Sequence, residues 1–274
     1  MSWLNRPASE TQITHGGRLW LYVLAALIMV FLVAPTLIVI PMSFSESQYL
    51  EFPPREWSLR WYRHYLDSPE WIRATKTSLK AAFFTMLVAT PLGTMAAYGL
   101  FVSNIRFVNL VFVVLVTPIL IPVILVAIGV FYAYVKIKLV NSLLGLVLAH
   151  SILAIPLVLV VVSSALKSYD MSQEMVARSL GASRPRAFLL VTLPQIRFSV
   201  ITAALLSFLI SFDEVIIAMF VSGGENSTLT RNMLNALRDQ IDPTIASIST
   251  IMIVISSALL VVAQLFGRSK DDDP

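Results

Sequence analysis

No cysteine occurs anywhere in the 274 residues. That absence excludes disulfide frameworks, thiolate zinc sites and thiol nucleophiles, and it leaves the redox compartment open. Charge is also scarce. Asp, Glu, Lys and Arg make up 13% of the chain, about half the share of a typical soluble domain. Neither G-x-x-x-x-G-K-[ST] nor H-E-x-x-H is found, so there is no P-loop for ATP and no zincin helix. The net charge of +4 is small, and where the bases lie matters more than their number.

What is present is apolar: 57% of the residues are hydrophobic. Six runs reach the roughly 20 residues that a bilayer crossing requires. They are Leu19–Ile40, Ala81–Val102, Phe107–Val135, Leu139–Leu166, Phe198–Val221 and Pro243–Gly267. The first follows Arg6 and Arg18 as a signal peptide would, but it is too long for an h-region and has no small-x-small cleavage site. It reads as a retained anchor. The expected domain scheme is an amino-terminal segment 1–18, a six-span domain 19–267 and a tail 268–274.

Six spans put both termini on one side. Lys and Arg are nearly balanced between the two sides, with 10 on the side of the termini, nine opposite and Lys80 at the edge of a span. The long connection Pro41–Thr77 carries five acids and five bases, and long loops translocate largely regardless of charge. Discounting it favours cytoplasmic termini. The loop 167–197 is then cytoplasmic as well.

The third run contains TPILIPVILVAIG, with Pro118 and Pro122 one turn apart. Each proline removes a backbone donor and bends a helix, and the freed carbonyls need partners from protein or water. A packing kink and a cavity-lining span both fit.

The loop 167–197 holds the densest arginine cluster, in EMVARSLGASRPRAFLLVTLP (Glu174–Pro194). Asp170 to Ser183 reads as a short helix. Met171, Met175, Val176 and Leu180 share one half, which is expected to be buried. Glu174 and Arg178 form an i,i+4 pair on the other half, beside a notch made by Ala177 and Gly181. Gly181 suits a left-handed helix end. Ser183 and Pro185 open a second short helix, which Leu193 and Pro194 close. About thirty residues are used where a handful would join two spans, and the shaped surface implies a partner.

These residues carry a resemblance. ABC importer permeases share a cytoplasmic signature E-A-A-x3-G-x9-I-x-L-P. The chain matches its spacing with Met175-Val176-Ala177, then Gly181, then Val191-Thr192-Leu193-Pro194. Met175 and Val176 depart from the signature, and Glu174 stands one residue earlier. TPILIPVILVAIG and SFDEVIIAMFVSGGENSTLTRNMLNAL resemble the polyamine (spermidine/putrescine) branch. The resemblance implies an all-α integral membrane fold of the type I importer (MetI-like) kind, with six transmembrane helices and a helix–turn–helix coupling elbow. It assigns Glu174, Ala177, Arg178, Gly181, Leu193 and Pro194 to coupling with an ATP-hydrolysing subunit. It implies two further partners: a second, related permease chain, and a periplasmic solute-binding protein received on the outer surface that includes Gly223–Asp242. It also implies location in a bacterial inner membrane among lipid, no nucleic acid, and no cofactor on this chain, ATP and Mg²⁺ being used by the partner.

The fifth run places Asp213 and Glu214 inside apolar sequence, where a carboxylate costs about 2.5–3.5 kcal/mol at mid-membrane. Adjacent helical residues point about 100° apart. One acid can therefore face a path while the other pairs with a base or a helix end. Asp213, Glu214, Pro118 and Pro122 are the candidate pathway residues. His150 in the fourth run reads as a hydrogen-bond partner for a neighbouring helix, with no proton relay assigned. Trp57, Trp61, Tyr62, Tyr65 and Trp71 read as interfacial anchors.

Cargo other than polyamines stays open: opines, aminophosphonates and other amino-bearing solutes suit the same importer class. An ion-coupled secondary transporter could use the broken helices and the acids, but it has no need of the elbow. An intramembrane aspartyl enzyme needs acids from different spans, and these two are adjacent.

Overall fold

The computed structural model describes residues 15–239 and 242–267. The segment before residue 15 and the tail 268–274 of the expected scheme lie outside the described residues. The chain is helical, and among the described residues the only β pairing is one isolated bridge, Ser45 to Trp57. The described residues fall into two compact units, one within 15–65 and 242–253 and the other within 66–239 and 254–267.

The first unit holds α1 (Leu19–Met42), most of α2 (Arg60–Asp67) and the start of α13 (Thr244–Gly267). α1 buries none of its residues, as expected of a helix whose surroundings are lipid or another subunit. The connection to α2 is tied by side chains. The Trp61 indole N–H donates to the Ser47 carbonyl at 3.0 Å, and the Tyr62 and Ser43 hydroxyls meet at 2.7 Å. His64 Nδ1 lies 3.0 Å from Thr244 Oγ1, and the Asp242 carboxylate accepts from the Thr244 N–H at 2.8 Å, capping α13. Of the aromatics expected to be interfacial anchors, Trp61 and Tyr65 are buried here and Trp71 is buried in the second unit, whereas Trp57 is exposed. Their rings fill gaps between elements of this chain, which a sequence pattern cannot distinguish from insertion at a membrane surface.

The second unit is built on α3 (Pro69–Phe101) and α6 (Leu143–Lys167). Their contact is made close by small residues. A Cβ added at Gly93 would lie 2.6 Å from Val158 Cβ, so only glycine allows the two backbones this approach. α10 (Arg197–Asp213) completes the core, with Ala97, Val158, Leu159, Val162, Leu166, Ile196 and Ala203 buried together. A second cluster joins α5 (Val123–Ile137), α6 and α11 (Ile216–Val221) through Ala127, Leu153, Ile217 and Val221. α12 (Leu229–Asp239) starts on α3, where the Leu229 N–H donates to Ser78 Oγ at 2.9 Å.

Four helical stretches are individually long and apolar enough to cross a membrane: Gly16–Met42, Pro69–Phe101, Leu143–Lys167 and Thr244–Val261. The expected third span is not one helix. α4 (Val108–Leu120) and α5 meet at 95°. Ile121 is extended because it precedes Pro122, and Pro122 is itself the cap of α5. The expected fifth span is broken too, at Glu214–Val215, between α10 and α11. A second bend, of 81°, separates Arg184–Gln195 from α10.

Candidate functional site

The elbow is made of α7 (Ser172–Ser179) and a second helical rod. The rod comprises α8 (Arg184–Ala187), a π-helical segment Phe188–Thr192 and α9 (Leu193–Gln195). Asp170 starts α7: its carboxylate accepts from the Ser172 N–H at 3.0 Å and the Ser172 hydroxyl at 2.6 Å. These bonds hold the Asp170 carboxyl below its ordinary range. Gly181 ends the helix in a Schellman turn with φ +94°. Its N–H donates to the Arg178 carbonyl at 3.0 Å, and the Ala182 N–H donates to that of Ala177 at 3.1 Å. Pro194 explains the π segment. Its ring crowds the carbonyl one turn back and it lacks an N–H, so the helix widens, and the Leu193 N–H reaches the Phe188 carbonyl instead. The expected closure at Leu193-Pro194 is therefore displaced: the rod runs through them and breaks at Ile196.

The orientation of α7 reverses the expectation. Glu174 is fully buried, whereas Met175, Val176 and Leu180 are 52%, 60% and 84% exposed. The Tyr98 hydroxyl, from α3, donates to Glu174 Oε1 at 2.6 Å, and the Thr192 hydroxyl donates to Oε2 at 2.6 Å. The Tyr169 hydroxyl stands 3.2 Å from Thr192 Oγ1, and the Tyr98 ring packs on Phe188 with centroids 4.4 Å apart. A carboxylate held by two short hydroxyl bonds is satisfied away from water. Glu174 therefore faces the body of the chain, and the apolar half of α7 faces out, beside exposed Leu189 and Leu190. Among the described residues no ion pair links Glu174 to Arg178, which is exposed. Ala177 and Leu193 are half-buried, and Pro194 is exposed. A Cβ at Gly181 meets nothing within 4 Å, so the expected notch is open space.

The second cluster lies at the break in the fifth span. The Glu214 side chain is 8% exposed. Its Oε1 accepts from the Ile216 N–H at 3.0 Å and its Oε2 from the Ala218 N–H at 3.1 Å. The carboxylate thus caps α11 and meets the positive end of its peptide dipoles. His150 Nε2 is 3.7 Å from Glu214 Oε2, and His150 Nδ1 is 2.7 Å from Ser211 Oγ. Asp213 is exposed, and among the described residues its carboxylate makes no hydrogen bond or ion pair. The two acids are thus divided between a helix end and open space. Pro118 is half-buried and Pro122 exposed at the other bend. No bond joins either proline to the acids, but α5 and α11, which start just after the two breaks, pack on each other.

The model of a family described as binding-protein-dependent transport system inner membrane component matches residues 89–271. The chain belongs to this family. It is a permease of the inner membrane, and the matched region takes in the elbow, both bends and both acids. Among relatives, it is 29% identical to the spermidine/putrescine transport system permease protein PotC of Haemophilus influenzae, over 88% of this chain and 93% of that one. It is 30% identical to the putrescine transport system permease protein PotI of Escherichia coli, over 85% of each. Its fold is that of a bacterial ABC transporter involved in the import of the acidic polysaccharide alginate, with TM-score 0.70, 14% identity, and 93% and 98% of the two chains covered.

Within this permease, sequence reasoning missed Tyr98, Thr192, Thr85 and Ser211. Each is a single hydroxyl in an apolar run, and nothing local marks Tyr98 and Thr192 as partners of Glu174, Ser211 as the partner of His150, or Thr85 as the partner of Ser211.

Proposed function

We propose that this chain is one of two permease subunits that form the path of a small organic cation, of the putrescine or spermidine class, through a bacterial inner membrane. The observation that carries the reading is the division of labour at the break: Glu214 is consumed as a helix cap, and Asp213 is left as an open carboxylate within a spanning segment. A charge in that position is expensive unless it faces water or a charged cargo. The names of the relatives, PotC and PotI, point to the same cargo class.

In this reading the elbow is cytoplasmic and both termini lie on the same side. Met175, Val176, Leu180, Leu189 and Leu190 supply an apolar face to a separate ATP-hydrolysing subunit. Ala177, Arg178, Gly181 and Pro194 shape its edge. Glu174, bonded to Tyr98, ties the docked elbow to α3, so that movement of the motor is passed to the spans. ATP and Mg²⁺ are bound by the partner, and this chain holds no cofactor. A related permease chain covers the faces that α1 leaves open, and a periplasmic solute-binding protein delivers cargo to the opposite side.

The test is uptake of labelled putrescine by cells with and without this gene, in a strain lacking other polyamine importers. Loss of uptake on deletion, with competition by unlabelled spermidine, is the expected result. Undiminished uptake removes polyamines as cargo; competition by opines or aminophosphonates alone replaces them.

A further inference from the structure

At the elbow end of the second unit, three helix ends leave an open groove of about 580 Å³ where α3 ends, α4 begins and α6 ends. Ala97 of α3, buried in the core with Val162 and Leu166, is part of its lining. Phe101 of α3 and Phe112 of α4 add two aromatic rings. The polar residues of the groove are Asn109 on α4, and Ser163 and Lys167 about one turn apart on α6. Lys167 is exposed, and among the described residues its ammonium makes no hydrogen bond or ion pair. Arg106, also exposed, stands two residues before Val108 in the turn that enters α4. An apolar groove and a free base thus meet where three apolar helices end.

We propose that this groove binds one anionic phospholipid of the elbow-side leaflet, its phosphate on Lys167 and the upper part of one acyl chain against Phe101 and Phe112. The level is right: the last residue of a spanning helix sits among headgroups, and lysine lays its methylenes along apolar surface while its ammonium stays at the phosphates. From Ala97 to Phe101 the helix rises roughly 6 Å, the depth of a glycerol backbone and the first carbons of a chain. A soluble phosphate would satisfy Lys167 but leave both rings uncovered. A zwitterionic lipid would cover the rings but bring its own cation to the base. An anionic phospholipid answers both, as at other basic pockets between spanning helices. Tyr98, next to Ala97, donates to Glu174 of the elbow, so the lipid braces the helix end on which the elbow hangs.

The absence of natural cysteine makes the test direct. Phe101→Cys is introduced as the only cysteine of this chain in the assembled complex, and a bimane label replaces the ring. The cysteine-free parent complex is the blank. Quenching is titrated with phosphatidylglycerol or phosphatidylcholine carrying a nitroxide high on one acyl chain. Val113→Cys, on the same helix as Phe112 and natively 55% exposed, is the control position. At position 101 phosphatidylglycerol is expected to quench at a several-fold lower fraction than phosphatidylcholine, and at 113 the two should be equal. Lys167→Gln is expected to lower the preference at 101 about fivefold, the worth of one base near an anionic surface, and Lys167→Arg to keep it. Ser163→Phe, which fills the groove, should abolish it. Equal quenching by both lipids at 101 overturns the site, as does a preference that Lys167→Gln leaves unchanged. An equal preference at 113 also overturns it, as general attraction of anionic lipid. Quenching at 113 but by neither lipid at 101 overturns it in favour of cover by another subunit. Loss of the preference on adding glycerol 3-phosphate overturns the lipid in favour of a soluble phosphate. If Lys167→Gln does not assemble, Ser163→Phe decides.

Discussion

Glu174 shows how much a single side chain can decide. Its carboxylate is buried and holds two hydroxyls, so Glu174→Ala leaves Tyr98 and Thr192 without their acceptor at an expected cost of about 1–3 kcal/mol. The chain should still insert, but ATP hydrolysis by the assembled complex should no longer follow uptake; ATPase and transport rates measured on the same proteoliposomes check this. Glu174→Gln, which keeps one acceptor oxygen, is expected to be milder. Fully retained coupling in Glu174→Ala would show that the anchor is dispensable. Gly181 is a different case. Its φ of +94° strains any L side chain by about 1 kcal/mol or more, although space is open around it. Gly181→Leu should therefore weaken capture of the ATPase subunit in co-purification, both through strain and by bulk at the docking edge, while Gly181→Asn, which tolerates the left-handed region, retains more. Equal capture for wild type and Gly181→Leu would remove Gly181 from the docking surface.

Among the elements, the tight α3–α6 crossing depends on Gly93 more than on any apolar residue around it. Gly93→Val places methyl groups against Val158 and the Ile155 carbonyl, and overpacking of this kind costs typically about 1–3 kcal/mol. The thermal midpoint of the detergent-solubilised permease should fall, whereas Gly99→Ala, with nothing within 4 Å of its new Cβ, should leave it unchanged. Equal midpoints for Gly93→Val and Gly99→Ala would contradict the close crossing. What was legible in the sequence at this scale follows the range of the signal. The end of α7 at Gly181 and the break near Pro122 come from local chemistry and were expected. The direction that α7 faces was not, because the hydroxyls that draw Glu174 inward lie 76 and 18 residues away in the chain. The usual assumption that an apolar face turns inward fails when that face is kept for another subunit. The break at Glu214 was also hidden. No glycine or proline marks SFDEVIIAM, and the interruption comes from a carboxylate that folds back onto the amides following it.

For the whole molecule, the apolar runs, the missing P-loop and the spacing around Gly181 were enough to expect a permease, because the bilayer imposes length and composition directly on the chain. The size of the bends was beyond reach, since their angles of 95° and 81° are set by packing among distant helices. Cargo is encoded more thinly still, in one open carboxylate. The most direct measurement is therefore the rate of labelled putrescine uptake at saturating concentration by complexes carrying Asp213→Asn, normalised to the amount of assembled complex in the membrane. Removing the countercharge from the path should lower that rate at least about tenfold, equivalent to about 1.4 kcal/mol on the barrier, with assembly unchanged. Uptake equal to wild type at every concentration would contradict the role given to Asp213, and with it the cation path through the broken span.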